Sequence, residues 1–306
     1  MRPFLVVYGH VCLDQIMSLD HFPDPNTSVD ITEKHCYFGG TGANIATVAA
    51  SLGVPTALVS YVGSDLPPEF RRNLESKGVD ISDIVMVDGY ETSTVLIVTD
   101  SQQNQIAYVY QGPMGHIDNF ELQTAQAKRG KLIHISTGRP GYYLRLMEQM
   151  RAMGKEISFD PAQEIHHIWS RETFPRGLAM ADNFFCNANE LQTALRYMGE
   201  KRPEGLIDGL KALINTRGGK GSILYTARGS RSVPAAHPSR IIDPTGAGDA
   251  FRGGFYAGRY YGHSLEESVA YGNAAASFIL EAIGGVGNVP TWEMVEERAE
   301  PILAQL

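Results

Sequence analysis

Short apolar runs alternate with helix-like segments along most of this chain, and glycine or proline marks the joints between them. Leu5–Tyr8 is a strand ending at Gly9. Gly42–Leu52 is Ala-rich and helical, and it stops at Gly53 and Pro55, as a helix C-terminus should. Ala57–Tyr61 reads as a strand and Pro68–Ser76 as a helix closed by Gly78. Leu132–Ile135, Glu156–Phe159, Asn183–Cys186, Ala212–Ile214 and Ser222–Tyr225 are further strands, with helices at Tyr142–Ala152 and Asn189–Met198 between some of them. Parallel strands need a crossover, usually a helix, so this alternation predicts an α/β fold: a mostly parallel central sheet with helices on both faces. No internal repeat or low-complexity linker divides the chain, so residues 1–306 are expected to form one domain.

Two stretches break the rhythm. Thr94–Thr99 and Gln105–Tyr110 are β-rich and flank a polar turn at Asp100-Ser101-Gln102-Gln103-Asn104, the pattern of an antiparallel hairpin. Asp14–Lys34 is also extended, with Pro23 and Pro25 inside it. Both suit a small β lid over one edge of the main domain, drawn from about residues 12–36 and 91–113. Exposed strand edges of that kind could pair between subunits and give a homodimer.

Charge and composition exclude several functions. Lys and Arg number 26 against 34 Asp and Glu, a net charge of −8, and no basic run stands out. Phosphate contacts supply most nucleic-acid affinity, so no nucleic-acid partner is expected. No window reaches about 18 consecutive apolar residues, so no membrane span is expected. The apolar run at Phe4–Tyr8 is too short for a signal peptide. Cys12, Cys36 and Cys186 form no CxxC pair and no even framework, which fits a reducing cytoplasm and argues against structural zinc.

The most informative stretch is Asp243-Pro244-Thr245-Gly246-Ala247-Gly248-Asp249-Ala250-Phe251. It follows an expected strand at Arg240–Ile242 and opens an Ala/Gly/aromatic helix running to about Tyr261. Glycines at such a junction let backbone approach a ligand, and the helix N-terminus offers unpaired N–H groups to an anion. A carboxylate in that first turn would repel a bound anion. It becomes useful if Asp249 takes a proton from an attacking hydroxyl while the N–H groups stabilise the transferring group, as phosphoryl transfer requires. Spacing alone leaves open a plainer role, in which Asp249 caps the helix and the glycines only make a tight turn.

A second cluster, Phe38-Gly39-Gly40-Thr41-Gly42-Ala43-Asn44, fails as a dinucleotide fingerprint because Ile45 stands where the third glycine belongs. It leaves a glycine pair able to hinge and Asn44, whose amide suits polyol hydroxyls. A third, Thr216-Arg217-Gly218-Gly219-Lys220-Gly221-Ser222, is not a P-loop, since Gly221 follows Lys220 and the segment lies between two strands. A tight turn near phosphates stays open for it.

In this order the clusters resemble the ribokinase-like (PfkB) carbohydrate and nucleoside kinase family, over essentially the whole chain. Asp243–Asp249 with Phe251, Gly254 and Phe255 resembles the family's C-terminal motif. Gly39-Gly40-x-Gly42-Ala43-Asn44 followed by Ala46, Ala50, Leu52 and Gly53 resembles its N-terminal motif. Asn187-Ala188-Asn189-Glu190 resembles its NxxE motif, and Gly272–Ala276 the helix start bordering the adenine pocket. The resemblance implies a ribokinase-like fold and an ATP-dependent phosphotransferase with Mg²⁺. It makes Asp249 the base and Gly246, Ala247 and Gly248 the anion hole. Asn187 would position phosphate and Glu190 would organise Mg²⁺ through water, with Thr216, Gly218, Gly221 and Asn273 lining the ATP site. Asp14, Gly40 and Asn44 would grip the substrate, with Gln163 as a further contact.

Thr41 stands where ribokinases commonly carry Lys, which leaves room for a base on the ribose, and Asp243-Pro244-Thr245 replaces the usual Asp-Thr. The run Phe22-Pro23-x-Pro25-Asn26-Thr27-Ser28, the segment Asp160-Pro161-x-Gln163 and Arg252 look closest to archaeal nucleoside kinases of the family. The expected reaction is therefore phosphorylation of a nucleoside 5′-hydroxyl, with a sugar kinase of ribokinase or fructokinase type as the alternative. His10 and His116 lie in the presumed substrate and lid segments, where a contact role is open to them.

Overall fold

The computed structural model describes residues 2–102 and 104–306; Gln103, in the expected hairpin turn, and Met1 lie outside them. Among the described residues the strands are β1 (Leu5–Tyr8), β2 (Cys12–Leu19), β3 (Ile31–Gly39), β4 (Thr56–Gly63), β5 (Val79–Val87), β6 (Thr94–Thr99), β7 (Gln105–Tyr110), β8 (Leu132–Ile135), β9 (Glu156–Phe159), β10 (Asn183–Asn187), β11 (Ala212–Thr216), β12 (Ser222–Thr226) and β13 (Gly229–Val233). The helices are α1 (Thr41–Ser51), α2 (Pro68–Ser76), α3 (Ala125–Arg129), α4 (Pro140–Ala152), α5 (Phe174–Met180), α6 (Ala188–Met198), α7 (Ala247–Tyr260), α8 (Leu265–Ile279) and α9 (Trp292–Leu303).

Nine strands form one sheet in the order β13-β12-β11-β10-β9-β8-β1-β4-β5. Every pair from β11 to β5 is parallel, and β12 and β13 close the other edge antiparallel. Both faces are covered, so alternate residues of one strand enter different cores. Leu5 and Val7 of β1 pack with α1, α7 and α8, while Val6 and Tyr8 pack with α4. A strand buried on both faces reads as a continuous apolar run, which is why β1 has the bounds expected from sequence; β8 and β9 keep their expected bounds although His134 and Ser158 interrupt their apolar residues.

The smaller sheet has the order β3-β2-β6-β7. The β2–β3 and β6–β7 pairs are antiparallel, the second being the expected hairpin, and β2 joins β6 in parallel. Its strands occupy residues 12–39 and 94–110.

Two expectations need correction. Arg240–Ile242 is not a strand. Ile241 is 73% exposed, and the Ile242 N–H donates to the Leu280 carbonyl at the end of α8 rather than to a sheet partner. Gly272–Ala276 is not a helix start either: it lies in the second half of α8. The helix begins at a capping box, in which the Ser264 hydroxyl accepts the Glu267 N–H and the Glu267 carboxylate accepts the Ser264 N–H. Gly272 sits inside it because a Cβ there would stand 2.8 Å from the Phe251 carbonyl oxygen of α7.

Candidate active site

A cavity of about 330 Å³ opens beneath the lid, where β1, β8 and β9 end and α1 and α7 begin. Loops at the C-terminal ends of parallel strands are where such sheets place ligands. Asp14, Gly40, Asn44, Gln163, Gly246, Gly248 and Asp249 all line it, and Ala247 belongs to the same turn as the last three. Val95, Ile97 and Val109 of the lid supply an apolar wall.

The start of α7 is fixed from outside the helix. The Asp243 carboxylate accepts the N–H groups of Thr245 and Gly284, each at 2.9 Å, and these bonds hold its pKa low although burial works against its charge. Gly246 is left-handed (φ 75°) and a Cβ there would stand 2.4 Å from Gly285 Cα, so both conformation and space demand glycine. Its N–H-rich first turn carries no side-chain cap. Asp249 therefore does not cap α7. Its carboxylate accepts the Asn44 amide instead, at 2.8 Å. Burial pushes the Asp249 pKa up to about 7, against the Asn44 hydrogen bond and the Arg252 charge that lower it, with Asp160 and Asp14 adding to the rise. Burial likewise takes Asp14 up to about 6. A carboxylate that titrates near neutrality is a competent general base.

A chain of hydrogen bonds crosses the cavity floor. The Glu164 carboxylate accepts the Gly138 N–H at 2.5 Å and the Gln111 amide nitrogen at 3.3 Å. That turns the Gln111 oxygen to His10 Nε2 at 2.6 Å, which must donate. In neutral His10 the other nitrogen then accepts from the Thr137 hydroxyl at 2.7 Å, and Thr137 accepts from Thr41 at 2.6 Å. In that arrangement Thr41 has spent its one proton and presents lone pairs to the cavity. Gln111, Thr137 and Glu164 escaped sequence reasoning. Thr137 and Glu164 follow β8 and β9, so their place after strand ends was the available signal; Gln111 arrives from the lid and carried none.

The residues expected at the ATP site lie elsewhere, around the C-terminal ends of β10 and β11. Asn187 and Thr216 are paired across these adjacent strands. The Asn187 side chain accepts the N–H groups of Asn189 and Glu190, and the Glu190 carboxylate accepts both the Asn187 N–H at 2.7 Å and its side-chain amide at 2.8 Å. Gly218 (φ 55°) and Gly221 (φ 74°) make the turn between β11 and β12. Asn273 joins α8 to that edge: its oxygen accepts the Ser222 hydroxyl, and its nitrogen donates to the carbonyls of Val233 and Pro234. Among the described residues no group of three or more His, Cys, Asp or Glu is placed to hold a metal ion. With both oxygens engaged, Glu190 suits contact with a hydrated ion better than direct ligation.

A helix N-terminus beside a carboxylate titrating near neutrality is an arrangement that could serve transfer of a phosphoryl group to an alcohol, the reaction class of the carbohydrate and nucleoside kinases. The model of the pfkB family carbohydrate kinases matches residues 2–292, and the chain belongs to that family. It is 36% identical to a nucleoside kinase of Methanothermobacter thermautotrophicus over 94% of this chain and 92% of that one. It is 34% identical to the nucleoside kinase of Methanocaldococcus jannaschii over 95% of each. The crystal structure of a nucleoside kinase from the latter organism, described as an archaeal member of the ribokinase family, superposes with a TM-score of 0.91, covering 98% of this chain and 99% of that one at 33% identity. A Burkholderia thailandensis nucleoside kinase in complex with inosine shares the fold, with a TM-score of 0.88 over 98% and 97% of the two chains at 23% identity.

Proposed function

We propose that this enzyme transfers the γ-phosphoryl group of ATP to the 5′-hydroxyl of a nucleoside. The observation that carries the reading is the gathering of Asp249, the glycine-framed turn before it and the hydroxyl-binding set Asp14, Gly40 and Asn44 in one cavity. The apolar wall of Val95, Ile97 and Val109 and the short, neutral Thr41 leave space for a base that a sugar kinase has no use for. Relatives 36% and 34% identical over nearly their whole length carry the name nucleoside kinase, which supports the same reading.

Asp14, Gly40 and Asn44 hold the ribose and Gln163 adds a contact. Asp249 removes the 5′-hydroxyl proton as that oxygen bonds to the γ-phosphorus, and the bond to the β-phosphate oxygen breaks to release ADP. The first-turn N–H groups from Gly246 to Gly248 receive the charge that builds on the phosphoryl oxygens. Asn187, Thr216, Gly218, Gly221 and Asn273 hold the nucleotide. A Mg²⁺ carried by the ATP phosphates would neutralise their charge, and Glu190 fits it through water. The lid keeps out water, which would otherwise compete as acceptor. Its exposed β7 is the surface through which two copies would pair. A reducing cytoplasm suits the three free thiols and an ATP-dependent reaction.

The test is ADP release with Mg·ATP across ribose, fructose, myo-inositol and the purine and pyrimidine nucleosides. Turnover of nucleosides with silence on free sugars is the expected result; turnover of a sugar alone would overturn the substrate while keeping Asp249 as base.

A further inference from the structure

Directly beneath the cavity lies a buried ion pair that the chemistry above does not use. Arg252, on α7 one turn beyond Asp249, is 6% exposed, and Asp160, just past β9, is 2% exposed. Arg252 Nε donates to one Asp160 oxygen at 2.7 Å and Nη2 to the other at 2.9 Å, so the guanidinium is held as a fork. Its remaining arm, Nη1, donates at 3.1 Å to the carbonyl of Gly248, inside the turn that forms the anion site. His134 of β8 lies beside Asp160, its Nε2 3.4 Å away without a hydrogen bond, and its Nδ1 lies 2.7 Å from the Tyr256 hydroxyl, one turn further along α7. Burial works against a charge on Asp160, yet Arg252 and His134 hold its pKa down to about 2. The pair is therefore ionised whenever the protein is folded near neutral pH.

As a stabilising device this pair is a poor choice, because desolvating two charges offsets most of their attraction. Its position gives it another use. The groups that act on Asp249 are Asn44 from α1, Asp14 from β2, Asp160 from the end of β9 and Arg252 from α7 itself. Two are carboxylates that favour its neutral, proton-bearing form. Arg252 supplies the opposing charge, and the fork to Asp160 keeps that charge from swinging away.

We propose that Arg252, locked by Asp160, is a positioning residue for phosphoryl transfer: it fixes the Gly246–Gly248 turn against the incoming phosphate and favours the ionised form of Asp249. The inference rests on the reading of Asp249 as the base. It does not place the guanidinium on the substrate, since three of its N–H groups are already spent within the protein.

The profile of kcat/KM against pH reports the base of the free enzyme and tests this. In Arg252→Met the acid limb moves up by about one pH unit or more, the size expected when a neighbouring opposite charge is removed. In Asp160→Asn it moves down, because a like charge has gone while the amide oxygen still accepts one guanidinium N–H and keeps Arg252 in place. Opposite shifts from the two halves of one ion pair are not what loss of packing produces. Turnover falls in both, by about 10-fold to 100-fold, as the anion site loosens. Arg252→Lys keeps the charge but not the fork, so its acid limb stays near the wild-type position while kcat drops.

If Arg252→Met does not fold, the double variant Asp160→Asn/Arg252→Met replaces the pair by neutral groups of similar size. It is expected to show the same loss of kcat with its acid limb back near the wild-type position, and wild-type turnover in it would overturn the proposal. Coincident acid limbs in wild type, Arg252→Met and Asp160→Asn would overturn it too. Asp249→Asn is measured alongside. Turnover retained there removes the base and this inference with it, whereas a dead Asp249→Asn beside unmoved limbs removes only the role of Arg252.

Discussion

All eight residues of β4 in the nine-stranded sheet are buried, whereas all six of β7 in the lid are exposed. The catalytic end of the cavity is built on the first kind of structure and its cover on the second. Asp249, Asn44, Thr41 and the Gly246 turn are each tied to a neighbouring element by hydrogen bonds or by contacts too close to admit a Cβ. Val95, Ile97 and Val109 touch the cavity only as apolar surface. Floor and lid should therefore fail differently: damage to the floor lowers the rate of the chemical step, and damage to the lid weakens binding.

The largest effect belongs to Asp249→Asn. Losing the base should lower kcat by about 10²-fold to 10⁴-fold with little change in the KM for ATP, measured by steady-state kinetics. Gly246→Ala comes next, because it forces a side chain into a left-handed turn against Gly285. We expect kcat to fall by about 100-fold, with a lower Tm as the sign of the strain. On the other side of the comparison, Val109→Ala should raise the KM for the nucleoside by about 3-fold to 10-fold and leave kcat within about 2-fold. An equal fall in kcat would erase the distinction between floor and lid.

The smallest effect concerns stability. The folded protein holds a proton on Asp249 up to about pH 7, whereas the unfolded chain gives it up near the ordinary carboxylate value. Between those values the folded state binds more protons, so this group costs stability as pH rises through the window. Asp249→Asn should thus melt at a higher temperature than wild type at pH 8, with the gap narrowing towards pH 5. A constant gap across the range would show that burial does not raise the titration of this carboxylate.

The sequence pattern was most legible where burial is two-sided. The short strands β1, β8 and β9 stand at the bounds their sequences suggest, and their ends lead to the cavity. β5 was not anticipated because Asp80, Ser82 and Asp83 interrupt it; all three accept hydrogen bonds from Gln126 of α3. β13 was missed because Gly229-Ser230-Arg231-Ser232 is polar and mostly exposed at an edge. The opposite error, at Arg240–Ile242, came from two isoleucines that find no sheet to join. Within the site, motif residues close in sequence were legible as a set. The pairings that organise them were not: Asp160 and Arg252 are 92 residues apart and His10 and Gln111 are 101 apart, and only the folded chain makes them neighbours.

The orientation of Thr41 reaches beyond this enzyme's own substrate. While His10 is neutral, a ligand group placed against it must arrive with a hydrogen to give, because the chain of bonds running back to Glu164 then leaves the threonine nothing but lone pairs. Fluorine fills almost the same space as a hydroxyl and has no hydrogen, so a fluorinated analogue would be turned away there by polarity alone. Medicinal nucleosides in which a ribose hydroxyl is exchanged for fluorine would sort themselves by whether the changed carbon faces this residue.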